Sequence, residues 1–258
     1  VLASHCATSL GKSLVQKLAP ATKAHVVRDW LGQVRELSLA VIDHSYPPFG
    51  GVFDVRDHVR ASGFPAPLEA EQLSKIADTL AATAHLRKWL ETVASVAPSL
   101  ARLLDRVLDL SEIAVVIHEA IDERGEVRDH ASPRLGSIRR TIEESKARVR
   151  GVFERLVRQS GLTKLLQYGG TTFHDDRMVL PLKAEYRGRV PGIIHRSSDS
   201  GATLFIEPAE SVELNNTIVR LRDEEKKEIT QILKHLTQRI HLNAQAIIGT
   251  LGGLAVLD

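Results

Sequence analysis

The chain has 258 residues, a formal net charge of +2, 43 % hydrophobic residues and only 4 % aromatics. That balance allows a real core, built more readily from helices packed through Leu, Ile, Val and Ala than from a β-sandwich, in one large domain or two small ones. A single cysteine, Cys6, excludes an internal disulfide. With no signal-like segment and no apolar run near the roughly 18 residues of a membrane span, a reducing, cytoplasmic setting is expected and a membrane partner is not.

Residues 4–18 read as a helix that ends near Pro20. Thr22 is placed to cap a second helix, in which Val26, Val27, Trp30, Leu31, Val34, Leu37 and Val41 recur at threes and fours. The prolines and glycines of 45–53 make a loop, and a short helix follows at 54–61. Residues 68–93 carry Leu73, Ile76, Leu80, Leu86 and Leu90 on one stripe. Two further helices are expected at 98–108 and 112–121, and 122–131 breaks the pattern as a turn.

Ser132-Pro133 is a strong helix start, with Ser at the N-cap and Pro in the first turn. Leu135, Ile138, Ile142, Ser145, Val149, Val152 and Leu156 then alternate steps of three and four, a coiled-coil seam interrupted by Ser145. From 133 to about 159 this helix would be roughly 40 Å long at 1.5 Å per residue, and its other faces are too polar for burial. It needs one partner helix. Residues 207–251 supply it, opened by Glu207-Pro208 and carrying Val212, Ile218, Leu221, Ile229, Ile232, Leu236, Ile240, Ile247 and Leu251. Within it, 222–228 (RDEEKKE) read as solvated, and Gly249, Gly252 and Gly253 weaken the end.

Between the two arms lies a β-like stretch. Thr171, Thr172 and Phe173 alternate briefly, His174-Asp175-Asp176-Arg177 can turn, and 178–182 continue as strand. Arg187-Gly188-Arg189 with Pro191 forms a bend. Residues 192–195 and 202–206 flank the hairpin signal SSDSG. The expected fold class is therefore mainly α: a helical core and a long antiparallel two-helix lever arm, with a small four-stranded antiparallel β clamp inserted at its tip. The expected division is 1–165 for the core and outgoing arm, 166–206 for the β unit, and 207–258 for the returning helix, packed with 1–165.

The modest net charge hides an asymmetry. From Arg128 to Ser197 there are fifteen Lys/Arg against seven Asp/Glu, an excess of eight positive charges, which leaves the rest of the chain at −6. Such a basic end suits a polyanion; a solvated helix face with spare arginines would look the same.

Catalytic signals are weak. Gly11-Lys12-Ser13 has the tail of a phosphate-binding loop, but the required earlier glycine is Cys6 and no strand feeds it. His118-Glu119 begins like a zinc-protease helix, yet the next ligand position holds Asp122. A packed or capping role suits His118 better. The His174-Asp175-Asp176 run could chelate a cation or simply be a hydrophilic turn. Cys6 shows no thiolate-stabilising partner and reads as a buried helix residue. No cofactor or metal site is expected.

The stretch 178–222 carries a resemblance. Its most specific pieces are KAEYRGRVPG from Lys183, SGATLFIEP from Ser200 and VELNN from Val212, and IDERGEVRDHASPRL from Ile121 adds a second match. These are similar to the clamp-to-lever junction of the MutS family, in particular its second bacterial branch, the Smr-associated MutS-like proteins. Weaker helical similarity covers nearly the whole chain. The hairpin departs from the branch pattern His-Asp-Gln-Ser-Ser-Ser-Gly: Arg196 replaces an acid and Asp199 a serine.

The resemblance implies a lever whose tip closes on a polynucleotide, and a two-fold dimer held by ATPase domains that would follow Asp258, where ATP and Mg bind. A Smr nuclease module would lie further on. This stretch, compatible with a monomer when alone, is not expected to be an enzyme by itself. The branch is associated with suppressing recombination through branched DNA and with splitting collided ribosomes, so the expected partner is branched or duplex DNA, or the ribosome and its rRNA. The branch resembles MutS without its mismatch-reading N-terminal domain. On this reading Lys183, Arg187, Arg189 and Arg196 contact phosphates on or beside the sheet, and Arg139, Arg140, Arg148 and Arg150 extend the basic strip down the arm. With few aromatics nearby, base stacking is expected to be minor. Tyr186 and Phe205 are read as packing the sheet, and Glu207 with Asn215-Asn216 as capping the strand-to-helix junction. The alternative is a mechanical strut that relays ATPase state through protein contacts.

Overall fold

In a computed structural model the chain is described at residues 1–175 and 177–258, Gln159 and Ser160 by their backbone alone. The helices are α1 (Ser9–Val15), α2 (Ala24–Asp43), α3 (Arg56–Ala61), α4 (Ala70–Val93), α5 (Pro98–Ala101), α6 (Ser111–Ala120), α7 (Pro133–Ser160), α8 (Val212–Leu242) and α9 (Ala244–Leu257). The strands are β1 (Thr172–His174), β2 (Arg177–Lys183), β3 (Gly192–Ser197) and β4 (Thr203–Pro208). The fold is mainly α with one small antiparallel sheet among the described residues, in the order β1-β2-β4-β3. None of the described helices alone is long and apolar enough to cross a membrane.

The residues group into two compact units, Val1–Ala131 with Gln231–Asp258, and Ser132–Thr230. This differs from the division expected at 165 and 206, because both long helices share their core with the sheet.

In the first unit α4 is the spine. Its stripe Leu73, Ile76, Leu80, Leu86 and Leu90 is fully buried, and Glu69 and Gln72 close a capping box at its start. The N-terminal helix is shorter than expected and begins only after Thr8, whose hydroxyl accepts from the Gly11 amide. The Asp258 carboxylate accepts from the amides of Ala7 (2.7 Å) and Thr8 (2.8 Å), which ties the last residue to the first helix. The glycine-lysine-serine run thus lies on a helix. Two other expectations fail here. On α2, Trp30, Leu31 and Val34 of the expected stripe are exposed, and only Val26, Leu37 and Val41 of it are half-buried, beside the buried Ala40. The returning helix does not fade at its glycines: it breaks at Asn243, bends by 63°, and continues through Gly249, Gly252 and Gly253. At Gly253 a side chain would press to 2.9 Å from Val107, so glycine permits close packing.

In the second unit α7 and α8 run antiparallel. Ser132, the N-cap of α7, accepts from the Leu135 amide and donates to Glu228 (2.8 Å). Further along, Arg139 meets Glu225 (2.7 Å) and Arg155 meets Glu210 (3.3 Å). Residue numbers rise on one helix as they fall on the other. The predicted seam is buried at Leu135, Ile138, Ile142, Ser145 and Val149. Beyond Val149 the fully buried position is Phe153, while Val152 and Leu156 of the expected seam are only partly buried against the core that the helices share with the sheet. The charged segment 222–228 is not simply solvated either: Glu225 is buried on the α7 side. Burial raises its carboxyl pKa, but bonds from Arg139 and Arg222 outweigh this and hold it below the usual range.

One face of the sheet joins the main core: Met178, Leu180, Leu182, Leu204 and Ile206 alternate onto it and pack with Phe153 and Ile218. On the opposite face Val179, Pro181, Thr203 and Glu207 are also buried, and the residues of β2, β3 and β4 left part-exposed there are Arg177, Lys183, Ile193, Arg196 and Phe205. Residues 184–191 carry the chain from β2 across β4 to β3, and Val190 and Tyr186 of this crossover join the same core. The hairpin β3-β4 forms as expected, with Gly201 in the left-handed region (φ 71°).

Candidate nucleic-acid interface

Strand β4 extends through Pro208, two residues past its expected end, and α8 starts only at Val212. The reason lies in side chains that were expected to be caps. Glu207 is fully buried and accepts from Arg177 Nη1 at both oxygens (2.9 and 3.1 Å), from His195 Nε2 (2.6 Å) and from Asn215 Nδ2 (2.9 Å). Arg177 also donates to Asn216 Oδ1 (2.7 Å). Asn215 accepts from the Met178 amide (3.1 Å) and donates to the Met178 carbonyl (2.9 Å). One carboxylate therefore joins β2, β3, β4 and α8. The sequence signal was available: an acid in an otherwise apolar strand needs a cation and further donors. Only the fold identifies them as Arg177, His195 and Asn215.

His174 stacks on His195, with ring centroids 5.9 Å apart and planes 25° off parallel. Its Nδ1 lies 3.2 Å from Asp175 but makes no hydrogen bond. Asp176, the third member of the suggested chelating run, lies outside the described residues. Among those described, no group of three or more His, Cys, Asp or Glu is placed to hold a metal ion. His118 bonds Asp78 (2.9 Å) at the surface. Cys6 is buried just before α1 rather than within a helix; burial, then the nearby Asp258 charge, pushes its thiol pKa up and disfavours the thiolate.

The predicted basic residues fall into distinct places. Lys183 and Arg196 lie on the sheet face opposite the main core: Lys183 pairs with Thr203, and Arg196 with Phe205. Lys183 Nζ donates to the Lys164 carbonyl (3.2 Å), bringing those two residues together. Arg187 and Arg189 are exposed on the crossover, whose apolar residues pack into the main core, so the structure does not join all four at one spot. Arg140, Arg148 and Arg150 are exposed along α7. Arg139 differs, since its guanidinium is bound to Glu225 and mostly covered. Thus Arg134, Arg139, Arg155, Arg158 and Arg177 have acidic partners. Arg140, Arg148, Arg150, Arg187 and Arg189 have no ion pair among the described residues. Arg196 has a loose one with Asp199 at 3.5 Å. Phe205 was expected to pack the sheet, as Tyr186 does; instead it lies outside the core, beneath Arg196.

No protein-family model matches the chain. Curated relatives match it throughout. An endonuclease MutS2 of Geobacillus sp. (strain WCH70) is 38 % identical over 260 residues, covering 100 % of this chain and 33 % of its own length. One of Symbiobacterium thermophilum is 37 % identical over 258 residues, with 100 % and 32 % covered. A putative endonuclease MutS2 of Bacillus subtilis (strain 168) is 33 % identical, with 98 % and 33 % covered. The chain spans about a third of the length of the curated relatives it matches.

Proposed function

Because the chain belongs to the MutS family, in the branch that its MutS2 relatives represent, we propose that it is the part of such a protein that holds a polynucleotide. Its small sheet and the adjoining α7 contact backbone phosphates without reading sequence, and it has no catalytic role of its own. The observation that carries this reading is the sorting of cations in the second unit. The mostly covered arginines, Arg139 and Arg177, are held by buried acids, and exposed Arg134, Arg155 and Arg158 also have acidic partners, while Arg140, Arg148, Arg150, Arg187 and Arg189 are exposed with no ion pair among the described residues. Unneutralised charge concentrated on one unit repels itself and is compensated when a polyanion binds. Branched or duplex DNA is the preferred substrate. Suppression of recombination is the corresponding role for the whole protein, whose nuclease and ATP-driven steps we assign to segments other than this one.

The test is a titration of this chain with labelled branched DNA, plain duplex and structured RNA at two salt concentrations. Each phosphate contact on B-DNA contributes a slope of about −0.9 in log K against log salt. Charge reversal of Arg187 and Arg189 to Glu should weaken binding and flatten that slope. A polynucleotide affinity indifferent to salt and to these changes overturns the reading and favours the mechanical strut. Preferential capture of RNA would move the partner to the ribosome.

A further inference from the structure

We propose that Arg196 and Phe205 form a stacking site for an unpaired nucleotide base, so that this face of the sheet favours single-stranded or branched polynucleotide over intact duplex. The proposal rests on the polynucleotide reading above and names the substrate feature it selects.

The site is created by a β-bulge. Ile193 and Ile194 pair with Glu207 and Ile206 in regular register, but Arg196, not His195, pairs with Phe205. His195 is the extra residue. Without it Arg196 would sit opposite Leu204 and point into the main core; with it Arg196 is turned onto the opposite face, over the part-exposed Phe205. The bulge is anchored, because the His195 imidazole is bonded to buried Glu207, which Arg177 and Asn215 also hold. A guanidinium is thereby fixed over an aromatic ring, 5.9 Å from its centroid.

Phe205 is the one residue of β4 that is not buried. A large aromatic at a partly open position in an otherwise closed strand is available for contact. The Arg196 side chain is 51 % exposed, so the outer side of its plane is open. Planar guanidinium and aromatic groups are the surfaces on which splayed-out bases stack. Lys183 lies on the same face, and exposed Ile193 adds apolar surface there. A base on the Arg196–Phe205 pair would thus have a cation positioned for its phosphate. In an intact duplex the bases are already stacked on one another and cannot reach such a surface.

The experiment measures affinity of the whole chain for a DNA duplex, the same duplex with a central unpaired loop, and a single strand. The loop carries 2-aminopurine, whose fluorescence reports stacking. The expected result is tighter binding to the loop and single strand, with a fluorescence change. Phe205→Leu keeps bulk but removes the ring, and should cost about tenfold for unpaired substrates while leaving duplex affinity in place. Arg196→Lys keeps charge but removes the plane; it should lose the same preference and retain the salt slope, and it decides the matter if the leucine variant is unstable. Equal affinity for all three DNAs, or a preference that survives both substitutions, overturns the stacking site and leaves phosphate binding standing. No binding to any of them overturns both.

Discussion

Asn215 is the residue whose replacement tests the architecture of the second unit most directly. The register that pairs Leu180 with Ile206 would place Pro208 opposite Met178, and proline has no N–H to give to the Met178 carbonyl. The Asn215 side chain takes the missing strand residue's place, accepting from the Met178 amide and donating to its carbonyl, with its other amide proton on Glu207. Asn215→Leu keeps the volume and removes all three bonds. Glu207 retains Arg177 and His195, so two backbone groups are fully orphaned. At about 1–3 kcal/mol for each buried group left unpaired, the expected loss is about 2–6 kcal/mol, against about 5–15 kcal/mol for a whole domain. Both tryptophans, Trp30 and Trp89, lie in the first unit, so their fluorescence would miss the effect. The assay is urea unfolding followed by far-ultraviolet circular dichroism, with hydrogen exchange at the Met178 amide. A Met178 amide that exchanges as slowly in the variant as in the parent refutes the reasoning.

Gly192→Ala should destabilise the hairpin although its backbone is extended, because a Cβ there would collide with the Glu207 carbonyl oxygen and lie 2.9 Å from Pro208 Cα; about 1–3 kcal/mol is expected for such overpacking, and a variant with an unchanged urea midpoint would contradict it. Phe153→Ala should cost about 3–5 kcal/mol, more than Val152→Ala, since Phe153 is the side chain buried against the sheet; the reverse ranking would restore the regular seam. The pH dependence follows from Glu225, whose folded pKa is lowered from 4.5. A depressed carboxylate contributes stability that is present above its unfolded pKa and lost as pH falls through the folded value. The stability difference between the parent and Glu225→Gln should therefore close as pH drops below about 4.5. A gap that stays constant from pH 7 to pH 3 would mean that the ion pairs contribute nothing.

Much of this fold is legible in the residues because periodicity records burial. The α4 stripe and the α7 seam as far as Val149 are buried where their spacing says. The hairpin is announced by its turn chemistry. What periodicity cannot record is a change of partner. After Val149 the fully buried side chain is Phe153, which packs with the sheet residues, and a continuous three-four rhythm extrapolates past it to Val152. On α2 the apolar pattern is genuine but Trp30, Leu31 and Val34 face solvent, since amphipathicity says that a face is apolar without saying what lies against it. Composition misleads in a different way at 222–228, where a run of charges conceals two acids aimed at the cations and the N-cap of α7. The candidate interface was legible as a count of arginines and not as a surface, because sorting paired from unpaired cations requires knowing which acids reach them.

The same limit explains why Arg196 reads so differently in sequence and in structure. As a letter it is an arginine in place of an acid beside a predicted turn, and strand alternation would turn it into the core. A single inserted position, His195, reverses that direction, and the inserted position is held by a buried carboxylate twelve residues further on, Glu207 of β4. The charge on the face opposite the main core thus depends on an uncharged-looking stretch of apolar strand: remove Glu207 and Arg196 loses its orientation as well as His195 its anchor. Buried polar groups of this kind cost desolvation energy that an apolar core would avoid. Their return here is geometric, in that they fix one register of an edge strand that would otherwise slip by a residue and carry its cation to the wrong side.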